Sequence, residues 1–170
     1  MAWGDCWGVA HEEESLSFPV DSVMPEANGV WYRGVTVEVP AHNLFRWLCQ
    51  LRMAPYSYDW IDHRGRTSPR ELTPGADELA VGQRVMSVFE LVAFERGRHL
   101  TLRLKRTHGF PPVALSYMVV PDDEKTTRLL VKVLVHYEGL RGLLFRSWFA
   151  RADLFMMKKQ LETLKTLAEG

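Results

Sequence analysis

The sequence predicts an α+β fold in which a curved antiparallel sheet wraps a long C-terminal helix. Three observations carry that reading. Strand-like runs follow one another through the middle of the chain, with a helix before them and a long helix after. In the last thirty residues Ala150, Leu154, Met157, Leu161, Leu164 and Ala168 recur at steps of 4, 3, 4, 3 and 4, one face of an α-helix. Near the start of that run Leu143, Leu144, Phe145, Trp148 and Phe149 leave almost no polar side, so these turns need to be enclosed. A sheet that follows a meander and has one long helix to cover will curve around it.

The elements follow in order. Residues 1–28 carry weak signals, with acidic His11–Glu14 and with Pro19 and Pro25 interrupting any helix. They read as an extended N-terminal arm that docks through Trp3, Trp7 and Phe18, and residues 29–170 read as the domain proper. Gly29–Val39 is a strand, because Val35, Val37 and Val39 alternate with Thr36 and Glu38. Pro40 then suits the first turn of a helix whose apolar stripe is Leu44, Phe45, Leu48 and Leu51, and Pro55 stops it. Ala54–Gly75 is polar and turn-rich and reads as a long loop. Leu79–Val81 is a short edge element. Arg84–Glu95 is a strand, Arg96–Gly97 a turn, and His99–Arg106 a strand with Leu100, Leu102 and Leu104 on one face. Val113–Val120 and Thr127–Tyr137 are strands joined by a hairpin turn through Asp-Asp-Glu-Lys.

Composition narrows the function classes. A chain of 170 residues, 46% hydrophobic and 25% charged, suits one globular domain with a sizeable core. Lys+Arg and Asp+Glu both number 21, and that zero net charge gives no case for a nucleic-acid partner. Cys6 and Cys49 are too few for a disulfide framework, which sets a reduced, cytoplasmic location as the expectation. No secretory signal is visible at the N-terminus. The densest apolar run, Leu143–Met157, is interrupted by Arg146, Arg151 and Asp153, so no integral membrane segment is expected, although the run has the character to lie on a membrane. The scattered histidines and the missing phosphate-loop, dinucleotide, zinc-protease and Ser-hydrolase motifs leave no metal or cofactor to propose.

Three stretches resemble a known family. Val37–Ile61 is similar to its opening of strand, Pro-led helix and loop ending in Trp, with Pro40, Phe45, Trp47 and Trp60 in those places. Gly82–Leu104 resembles its two central strands, and Gly139–Glu169 its C-terminal helix. The family is the START-like, or Bet v 1-like (SRPBCC), helix-grip superfamily, in its bacterial polyketide cyclase/dehydrase-type branch. The resemblance implies a deep apolar cavity between sheet and helix. Members bind lipids, sterols, hormones or polyketides, and a minority are cyclases or dehydratases. The family carries no universal catalytic motif to transfer, and a shared fold does not make an enzyme.

Candidate residues follow from parity and spacing. Glu90 lies mid-strand and shares its parity with Met86, Val88, Val92 and Phe94, which makes it the candidate acid or base if that face is concave. The alternative is a solvated carboxylate paired with an arginine. His136 alternates away from Val133, Val135 and Tyr137 and is expected to face outward. Tyr117 and Tyr137 lie on apolar parities, as cavity hydroxyls or as satisfied core residues. In the loop, Tyr56, Tyr58 and Arg66 are candidates for gating entry or holding an anionic group. On the terminal helix, Trp148, Phe149, Ala152, Phe155 and Met156 form a second stripe beside the packing seam and are the candidate cavity wall. The leading expectation is a binder of a hydrophobic small molecule, and the rival is a cyclase or dehydratase using Glu90. A third reading is an oligomerising protein without ligand, such as a homodimer, because apolar residues of both parities crowd Arg84–Phe94.

Overall fold

The computed structural model describes residues 5–57, 67–105 and 110–170, with the backbone alone over 140–145. Tyr58, Trp60 and Arg66, and the side chains of Leu143, Leu144 and Phe145, lie outside the described residues. In chain order the elements are β1 (Cys6–Trp7), α1 (His11–Glu14), β2 (Gly29–Val37), α2 (Ala41–Cys49), β3 (Arg84–Val85), β4 (Phe89–Glu95), β5 (His99–Leu104), β6 (Val113–Pro121), β7 (Thr127–Val135) and α3 (Gly139–Glu169). Single 3-10 turns occur at Pro19–Ser22 and Gln50–Arg52.

The strands form one seven-stranded sheet in the order β1-β2-β7-β6-β5-β4-β3. β3 to β7 run as an antiparallel meander, and β2 adds along β7 with Val35 opposite Leu129. β1 joins β2 in parallel, so the sheet ends on two short strands and does not close into a barrel. The hairpin between β6 and β7 is set by Asp123, whose Oδ1 accepts the backbone N–H groups of Lys125 and Thr126, each at 2.7 Å. Those two bonds hold the Asp123 carboxyl below its ordinary range.

Alternation divides the sheet into two faces. The inner face carries Trp31, Leu102, Leu115, Val131 and Val133 into the main core. There they meet Leu44 and Leu48 of α2 and Leu161 and Leu164 of α3, all fully buried. Ala150 and Met157 are buried as well, so the seam read from the 3-4 spacing faces the core. The outer face carries Ala114, Leu130 and Leu134, which are covered by Phe18, Val20 and Met24. The N-terminal segment is therefore a strap over the convex side, consisting of a short strand, one helical turn and a 3-10 turn rather than an extended arm. Ion pairs pin it, Arg128 to Glu13 and Lys132 to Asp21, both at 2.6 Å.

The structure corrects the central strands. Arg84–Glu95 is not continuous. Met86 and Ser87 take left-handed backbone, with φ of 48° and 65°, and fold the chain into a β3–β4 hairpin. The register also shifts between Leu91 and Ala93, so the pattern slips by one residue at Val92. Together the turn and the bulge account for apolar residues of both parities in this stretch. Leu79–Val81 forms no strand, and Leu79 packs into the core. β7 ends at Val135, two residues short of Tyr137.

Candidate functional site

Between the inner face and α3 lies a cavity of about 520 Å³. Trp31, Leu115, Tyr117, Val133 and Val135 form its sheet wall. Phe149, Ala152, Asp153, Met156 and Gln160 form its helix wall, and Pro55, Met86 and Phe89 close one side. Val88, Phe110 and Trp148 also line it, and these three are 45%, 63% and 63% exposed, so they mark the mouth. Two methionines, Met156 and Met157, give the helix wall an adaptable surface.

Polar groups are few and positioned. Asp153 lines the cavity and receives a hydrogen bond from the Arg33 guanidinium, Nη2 to Oδ2 at 2.9 Å. Arg33 is fully buried, its Nη1 donating to the carbonyls of Asp5 at 3.0 Å and Tyr32 at 2.9 Å. Its guanidinium also stands 5.9 Å from the centroid of the Trp31 ring. Burial pushes the Asp153 carboxyl up to about 6, and the Arg33 charge opposes that rise without cancelling it. The cavity thus holds a carboxyl that changes charge near neutral pH. A second polar chain runs from the Tyr117 hydroxyl to Gln160 Oε1 at 2.5 Å, and from Gln160 Nε2 to the Pro55 carbonyl at 2.5 Å. Burial holds the Tyr117 hydroxyl in its neutral form.

Trp148, Phe149, Ala152, Met156 and Tyr117 are brought together around this cavity. Phe155 lies on the outside of α3, 56% exposed and away from the lining. Tyr117 contributes its ring, while its hydroxyl is spent on Gln160. Tyr137 is buried against Phe149, with ring centroids 6.5 Å apart, and is outside the lining. Burial pushes its hydroxyl up to about 12. Tyr56 is also buried and outside the lining, although its neighbours Pro55 and Ser57 belong to it. Tyr58 and Arg66 fall outside the described residues.

Glu90 is placed on the other side of the sheet. Leu91 points into the core, so Glu90 points outward, opposite Arg103. There it borders a groove of about 1000 Å³ with Val23, Met24, Arg103 and His136. The parity that grouped Glu90 with Phe94 fails because the bulge at Val92 lies between them. His136 faces the same groove, bonded through Nδ1 to the Glu26 carbonyl at 2.8 Å.

Trp31, Arg33, Asp153 and Gln160 were not singled out by sequence reasoning, yet signals for them exist. Arg33 shares the parity of Val35 and Val37, an odd place for a charge on a core-facing strand. Asp153 is the one acid between Gly139 and Leu161, and Phe149, Asp153, Met156 and Gln160 step by 4, 3 and 4 along one face. Among the described residues no group of three His, Cys, Asp or Glu side chains is placed to hold a metal ion.

No family model matches this chain, and no curated protein matches it. Solved structures do. A hypothetical protein from Helicobacter pylori aligns at a TM-score of 0.57 and 12% identity, covering 91% of this chain and 96% of that one. A START superfamily protein from Mycobacterium smegmatis aligns at 0.53 and 12% identity, covering 82% and 97%. An aromatase/cyclase from a Streptomyces species aligns at 0.52 and 13% identity, covering 82% and 93%. The fold is START-like, of the helix-grip kind shared with polyketide aromatase/cyclases.

Proposed function

We propose that this protein binds a hydrophobic small molecule, a lipid, polyketide or aromatic compound, in the cavity between the sheet and α3. The observation that carries the reading is the cavity itself. Its volume of about 520 Å³ is within the range of small-molecule sites, and its walls are apolar apart from Asp153 and Gln160 and short polar groups near the mouth. The START-like neighbours support the same class of ligand. The test is thermal unfolding against a panel of fatty acids, sterols and polycyclic aromatics, with Ala152→Phe as the filled-cavity control. The wild type should be stabilised by at least one class and the variant by none. A wild type indifferent to the whole panel, with no apolar molecule co-purifying, overturns the proposal.

Asp153 favours a second reading, an enzyme of the cyclase or dehydratase type. A carboxyl titrating near 6 inside an apolar cavity can both accept and donate a proton at neutral pH. Glu90 sits on the opposite face, so the acid/base role passes to Asp153. Under this reading Asp153→Asn keeps ligand-induced stabilisation but abolishes conversion of a polyketide-like substrate followed by mass spectrometry. Equal turnover by wild type and variant removes it.

A further inference from the structure

The outward face of α3 beside the cavity mouth does not belong to the core, to the cavity wall or to the strap. Trp148, Arg151, Phe155, Lys158 and Lys159 all lie on it and all are exposed. At 100° per residue they fall within an arc of about 100°. Asp153, the one acid in this half of the helix, is turned inward to Arg33, so the face is aromatic and cationic until Glu162. Trp148 continues directly into the mouth, where Phe110 and Val88 are exposed and Lys105 stands next to Val88 through a backbone bond of 3.0 Å. Aromatic rings interleaved with lysine and arginine on one helical face are the composition of a helix that lies in a lipid interface. Such rings seat at the headgroup level, and the cations meet an anionic surface.

We infer that this face docks the protein on an anionic lipid bilayer with the cavity mouth against the membrane, so that an apolar molecule passes between bilayer and cavity without crossing water. The inference rests on the cavity being a site for an apolar molecule. The charge pattern selects the occupant. A neutral apolar partner would leave Arg151, Lys158 and Lys159 desolvated, and a purely acidic one would leave Trp148 and Phe155 unused.

The test is co-sedimentation with vesicles of phosphatidylcholine alone and of phosphatidylcholine with about 30% phosphatidylglycerol. The wild type should partition onto the anionic vesicles and dissociate at about 0.5 M salt, where screening is strong. Phe155→Ser and the double variant Lys158→Glu/Lys159→Glu should each weaken partitioning about tenfold or more, with circular dichroism and melting temperature unchanged. Neither variant touches the cavity lining, so stabilisation by apolar ligands should survive in both. Vesicle binding with an indifferent ligand panel would leave docking standing and remove the ligand reading, and ligand binding without vesicle binding would do the reverse. Docking is overturned if the wild type stays in the supernatant, or if Phe155→Ser partitions like the wild type. It is also overturned if soluble polyglutamate competes with vesicles at equal charge, which would make the partner an acidic protein.

Discussion

At the residue scale, Arg33 and Asp153 set the character of the site. A buried guanidinium is tolerated because two carbonyls and one carboxylate surround it. The cost appears on Asp153, whose pKa of about 6 stands above the ordinary 3.8. The folded protein therefore holds a proton that the unfolded chain has already released between about pH 4 and 6, and stability from this group falls as pH rises through that window. Urea unfolding at steps from pH 4 to 7 should show the stability difference, wild type minus Asp153→Asn, shrinking by about 1–3 kcal/mol as pH rises. A pH-independent difference would mean that Asp153 titrates normally. Arg33 was visible in the sequence as an odd charge on an apolar parity, but its partner lies 120 residues away, and one-dimensional spacing carries no such pairing.

At the element scale, regular periods were read correctly and their interruptions were not. The seam on α3 and the alternation in β2 and β5 needed only periods of 3.6 and 2. The turn at Met86–Ser87 and the bulge at Val92 break the period without glycine or proline to mark them, and so Glu90 was assigned to the wrong face. The strap shows the converse case, in which a segment without period is ordered by long-range contacts. Gly8 is its closest approach to the sheet. It has φ of +69°, and a Cβ there would collide with the Gly34 carbonyl, while its own carbonyl accepts from Arg128 at 2.7 Å. Gly8→Val should lower unfolding stability by about 2–4 kcal/mol and uncover Leu130 and Leu134 to a hydrophobic dye. A change below about 0.5 kcal/mol would mean that the strap contributes no stability.

At the scale of the whole molecule, the cavity exists because sheet and helix diverge where α3 carries Ala152 and Asp153, and meet again at Leu161 and Leu164. Ligand binding there acts on the entire fold by mass action. A ligand at about 100 times its dissociation constant adds about 2.7 kcal/mol, which for a domain of this length raises the midpoint by about 5–10 °C. That is the size of shift the ligand panel should show in the wild type, and a smaller saturating shift would place the ligand outside the cavity.

The sequence by itself determined the fold class, the long helix with its two stripes, the meander and the apolar wall of Trp148, Phe149, Ala152 and Met156. These are matters of local period and of the hydrophobic effect, which one chain direction records. Only the tertiary structure decided that β2 closes along β7, that the N-terminal segment covers the convex face, and that Asp153 and Gln160 rather than Glu90 face the cavity. Each of those depends on contacts between residues far apart in the chain, or on a one-residue slip in register. In a strand such a slip moves a side chain from one face of the sheet to the other.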